Sequence, residues 1–155
     1  MQKVNDKYMV RLNALSRNLL LSSLSTCKFT LLHYDHPFAA VISDNKLIDP
    51  DHLIAIFNKI KNAENTDMLE FSIEDEILIY TALDITCKFF LTELSDDLKI
   101  INKGLIESTS ADYAEVRSTL LKGAQFVRDG MRETLKDNEE FSDLVELLEL
   151  VLTVS

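Results

Sequence analysis

The stretch from Ser72 to Leu94, SIEDEILIYTALDITCKFFLTEL, constrains this chain more than any other. Three acids fall in what would be its first turn, and apolar residues cover most of its circumference. The polar remainder is a narrow stripe of Glu74, Thr81, Asp84, Lys88 and Thr92. A helix that is apolar nearly all round needs other helices on every side of it. The same spacing places Asp84 and Lys88 four residues apart, predicting a surface ion pair worth about 0.3 kcal/mol.

Composition supplies the surrounding helices. Three glycines and two prolines in 155 residues leave little material for tight turns, which argues against a sandwich or barrel. At this length the chain fits one domain spanning residues 1–155, burying roughly 70% of its unfolded surface. The expected fold is therefore all-α, a single-domain bundle of five or six helices.

Several further elements read clearly. Residues 5–24 place Val4, Tyr8, Leu12, Leu15 and Leu19 on one stripe, flanked by Lys3, Lys7 and Arg11, which predicts an amphipathic helix. Asp49-Pro50-Asp51 is a helix start, with a capping carboxylate, a proline suited to the first turn and an acid at the positive helix end. That helix should run to about Asn62 on Leu53, Ile56, Phe57 and Ile60. Ser95 predicts a short helix ending near Gly104. A long helix follows from Thr109 or Ser110 to about Lys136 on Tyr113, Val116, Leu120, Ala124, Val127, Met131 and Leu135. A last one runs on Phe141, Leu144, Val145, Leu148, Val151 and Leu152, and Asn138 can end the long helix or cap the last. Residues 25–48 fit no helix over their length. They are expected to be irregular, with either a short β-hairpin around Asp44-Asn45 or a helical turn begun at Pro37.

Charge narrows the partners. Sixteen basic against twenty-six acidic side chains give a net charge of -10, a field opposed to phosphate binding, so nucleic acid is not expected. Residues 1–36 carry five basic and two acidic side chains, whereas six acids and no base follow Lys136. No apolar run approaches the roughly 20 residues of a membrane span. Cys27 and Cys87 lack metal-knuckle or redox spacing and no secretory leader opens the chain, which predicts a reduced, cytoplasmic protein with both thiols as core residues.

Two places could carry function. His33, Asp35, His36 and His52 gather histidine and carboxylate donors within twenty residues, enough for a metal centre or a metal-dependent or ligand-binding site, but without the spacing of a known metal motif. The acidic groups at Glu74-Asp75-Glu76, Asp96-Asp97 and Glu139-Glu140 each open a helix, where carboxylates offset the dipole. No cofactor is implied.

The second place is the long helix. Gly123 and Gly130 each cost about 1 kcal/mol against alanine in a helix interior. Seven residues is almost two turns, so both face one side, with Phe126 projecting between them. The strip predicts close approach by another helix, from the same bundle or a second subunit, or else a kink. With little chemistry in view, the expected function is a cytoplasmic, non-catalytic protein-interaction module. It would associate as a homodimer through Gly123, Phe126, Gly130, Leu148 and Leu152.

Overall fold

The computed structural model describes residues 2–4, 7–32, 49–64, 67–89, 103 and 113–153. Its elements are β1 (Gln2–Val4), β2 (Lys7–Arg11), α1 (Ala14–Leu32), α2 (Pro50–Asn62), β3 (Met68–Phe71), α3 (Ile73–Phe89), α4 (Tyr113–Leu135) and α5 (Glu139–Thr153). The architecture is an all-α domain with a small antiparallel sheet of order β1-β2-β3.

The central helix is as expected. Ser72 caps α3 through a reciprocal box: its hydroxyl accepts from the Asp75 N–H at 3.2 Å, and the Asp75 carboxylate accepts from the Ser72 N–H at 3.0 Å. Ile77, Leu78, Ile79, Tyr80, Ala82, Leu83 and Ile85 are all buried, which places α3 between α1 and α4. The Asp49 carboxylate accepts from the Asp51 N–H at 3.0 Å to start α2, whose Leu53, Ile56 and Ile60 are buried. Asn138 caps α5, its side-chain oxygen accepting from the Phe141 N–H at 2.9 Å. The Phe141 ring then meets Tyr80 of α3 edge-on, with centroids 4.8 Å apart.

The N-terminal region differs from the expected amphipathic helix over 5–24. Lys7–Arg11 is a strand, and Asn13 starts α1 by accepting from the Ser16 N–H at 2.8 Å. Tyr8 and Val10 lie opposite Phe71 and Leu69, so the inner face of the sheet feeds the core, while Lys7 and Glu70 pair at 3.5 Å outside. Leu15, assigned by spacing to a buried stripe, is 54% exposed. The pairing with β3, sixty residues away, decides the conformation of 7–11, and helical spacing carries no information about it.

α1 also runs further than expected, through Leu32, so 25–32 is helical. Leu19, Leu20, Leu21, Leu24 and Cys27 are buried on it together with Ser22, Ser23 and Thr26, and it packs against α2, α3 and α4. It is a second enclosed helix. The Thr26 hydroxyl donates to the Ser22 carbonyl at 2.9 Å, which lets a polar side chain sit inside. The hairpin expected within 25–48 falls on residues 33–48, outside the described ones, as does the helix expected after Ser95 apart from residue 103.

Among the described residues no helix is long and apolar enough to cross a membrane.

Candidate functional site

The glycine strip of α4 divides in two. A Cβ at Gly123 would lie 3.2 Å from the Leu19 side chain of α1, so this glycine marks a close approach within the chain. At Gly130 a Cβ would meet nothing within 4 Å. α1 and α4 are therefore in contact at one glycine and leave open space at the other.

That space is an apolar cleft of about 310 Å³. Leu12 and Leu20 come to it from the α1 side, Ile79 from α3, and Val127 and Met131 from α4. Phe126 and Gly130 line it as well, and Phe126 is 82% exposed. Arg11 at the end of β2 also lines the cleft and is exposed. The volume is at the lower end of the range for small-molecule sites.

Within these walls stands one buried carboxyl. Glu76, in the first turn of α3, is 1% exposed, and its Oε1 has no hydrogen-bond partner among the described residues. Burial, reinforced by the charge of neighbouring Asp75, pushes the Glu76 carboxyl up to about 8, so near neutral pH it is mostly protonated. An unsatisfied carboxyl inside apolar walls is costly, and an unpartnered one facing a cavity is a candidate for ligand recognition.

The three acids that open α3 thus have separate fates. Glu74 is exposed, as helix-dipole placement alone would have it. Asp75 completes the cap and also meets His52 Nε2 of α2 at 2.7 Å. Against burial, which raises it, the hydrogen bonds from His52 and Ser72 hold the Asp75 carboxyl below its ordinary value. Of the three, Glu76 alone holds a buried carboxyl oxygen without a partner among the described residues. The signal was present in the sequence: Glu76 precedes Ile79, Tyr80 and Leu83 by three, four and seven residues, which puts it on a buried face.

A polar strap lies further along α3. Asp84, also 1% exposed, accepts from Arg128 Nη1 of α4 at 3.2 Å. This corrects the expected surface setting of Asp84, which is inside and takes Arg128 from another helix, while the Lys88 side chain lies outside the described ones. One turn back, the Tyr80 hydroxyl accepts from Arg132 Nη2 at 2.7 Å and Nε at 3.1 Å, and Arg132 approaches Glu149 of α5 at 3.7 Å. Arg128 and Arg132, four residues apart on α4, tie α3 to α4 and lead on to α5.

His52 is half-buried at the start of α2 and engaged with Asp75, while His33, Asp35 and His36 lie outside the described residues. Among the described residues no three His, Cys, Asp or Glu side chains gather as metal donors. Leu148, expected at a contact surface, is 2% exposed and belongs to the core, because the inward face of α5 packs within the chain. Leu152 lies in the last turn of α5, and its side chain is outside the described ones. Burial pushes the Cys27 thiol up to about 12, which leaves it an inert core residue.

The fold and cleft define an all-α domain with an interhelical apolar site. Comparison with protein families, with curated proteins and with solved structures gives no match.

Proposed function

We propose that this protein is a cytoplasmic helical interaction module without catalytic activity, and that it associates with a second copy of itself through the face centred on Phe126. The observation that carries this reading is the position of Phe126, 82% exposed beside the open, apolar end of the α1–α4 contact. Leaving a phenyl ring in water forgoes roughly 2 kcal/mol of burial. A projecting ring beside an apolar hollow is self-complementary under a two-fold rotation, because each copy brings both parts. The net charge of -10 opposes the contact at long range, so added salt should strengthen it. A cytoplasmic setting is consistent with a chain of only two cysteines, one of them wholly buried.

Light scattering over a micromolar concentration series tests the reading. Wild type should pass from monomer to dimer. Phe126→Ala should remain monomeric by loss of the projecting ring. Gly130→Met should do so by filling the hollow, since nothing lies within 4 Å of a Cβ there. A monomeric wild type throughout the series, or a dimer indifferent to both substitutions, removes self-association through this face.

A further inference from the structure

Neither an exposed phenyl ring nor a second copy of the chain accounts for Glu76. Its carboxyl lines the cleft with Oε1 unpartnered, although helix α3 has exposed positions in its first turn that would hold an acid at no such cost. We propose that the cleft is a binding site for a small molecule bearing a primary ammonium on a short aliphatic chain. The chain would lie along Leu20, Ile79, Val127 and Met131, and the ammonium would pair with the Glu76 carboxylate.

Three observations select this ligand class. The walls are aliphatic apart from Phe71 and Phe126, which suits a hydrocarbon chain. The volume of about 310 Å³ accommodates a small molecule. The charge near the floor is negative, since Asp75 stands beside Glu76, and the chain as a whole carries -10, so a cation is drawn in and an anion repelled. The opposing charges are Arg11, which is exposed and keeps its contact with water, and the chain's own α-amino group, whose charge favours the Glu76 carboxylate but is outweighed by burial and Asp75. The remaining polar lining, Ser16 and Thr134, is uncharged. An ammonium supplies the donors that Oε1 lacks, and the desolvation of Glu76 is already part of the folded state. On binding, the carboxyl proton leaves for solvent and the ligand keeps its own.

A second copy's Phe126 would enter the same cleft, so the test is run on wild type at protein concentrations below and above the monomer–dimer range. Calorimetric titration with n-hexylamine, n-hexanol and hexanoate at pH 7 should rank the amine first. Titration of the amine in two buffers of different ionisation enthalpy should give release of about one proton per ligand. Glu76→Gln, nearly the same shape, should weaken the amine about tenfold or more and leave hexanol unchanged, which also reports an intact cleft. Hexanol binding as tightly as hexylamine, undiminished amine binding to Glu76→Gln, or no proton release overturns the proposal. So does the absence of heat with every probe. A blocked lysine amide binding more tightly than hexylamine overturns the free-amine assignment in favour of a protein side chain. Amine binding by a chain that never dimerises leaves this site standing and removes the self-association reading, and the converse result does the opposite.

Discussion

Glu76 and Asp84 are two acids on one helix, eight residues apart and both 1% exposed, yet their surroundings are opposite. Asp84 faces α4 where that helix presents Arg128, and a guanidinium hydrogen bond at 3.2 Å offsets its burial. Glu76 faces the place where α1 and α4 part, and no described side chain reaches its Oε1. A buried acid with a cation from a neighbouring helix fixes how the helices dock. One that faces a cleft without a partner is maintained at a cost to stability, which is how a binding group behaves before its ligand arrives.

The largest effect should come from removing the cation at the paired acid. Arg128→Ala takes the guanidinium from a carboxylate in the interior and should lower the unfolding free energy by roughly 3 kcal/mol or more, read by urea denaturation at pH 7. A loss below about 1 kcal/mol would mean that Asp84 is held by other contacts and that the contrast with Glu76 is overstated.

Glu76→Gln should act in the other direction. The folded state holds the Glu76 proton up to about pH 8, whereas an unperturbed glutamate releases it near 4.5. Folding therefore favours the neutral acid. The wild-type chain is free of this cost below pH 4.5, loses stability progressively between 4.5 and 8, and levels off above that. Glutamine removes the charge but leaves a buried amide, so a gain of about 2 kcal/mol is expected at pH 8, shrinking towards zero near pH 4.5. Thermal melts of both chains across that range check it. Parallel profiles for the two would show that Glu76 is solvated.

The smallest effect sharpens the comparison at the residue between the two acids. Tyr80→Phe keeps the edge-on contact with Phe141 and removes the hydroxyl that accepts two hydrogen bonds from Arg132. The expected loss is about 1 kcal/mol, because Arg132 is partly exposed and retains Glu149 and water. A loss equal to that of Arg128→Ala would make the whole strap, and not the Asp84 pair, the element that fixes α3 against α4.

These contrasts also separate what was legible from what was not. The helix starts at Asp49, Ser72 and Asn138 could be read directly, because a cap is a local hydrogen bond between residues two or three apart. The core stripes of α2, α4 and α5 follow from one period. The strand at Lys7–Arg11 could not be read that way, since its partner is β3. The burial of Asp84 and its bond to Arg128 are invisible to a sequence, which shows only near neighbours on the same helix; Arg128 lies 44 residues away. Glu76 was explained too soon by its place at a helix start, although its spacing to Ile79 and Leu83 marked a buried face. At the glycine strip, Gly123 meets Leu19 within the chain whereas no described residue comes within 4 Å of a Cβ at Gly130, and spacing cannot tell the two apart.

The sequence by itself determined the helical class, the caps of α2, α3 and α5, the central place of α3 and the net charge of -10. All of these depend on local periodicity, capping chemistry and composition. Only the tertiary structure decided that α1 is enclosed, that Lys7–Arg11 is a strand and that Phe126 stands at a cleft with Glu76 inside it. Each of these depends on which helix or strand comes alongside. Whether a buried acid finds an arginine or a cavity is settled by side chains that meet only when distant segments pack.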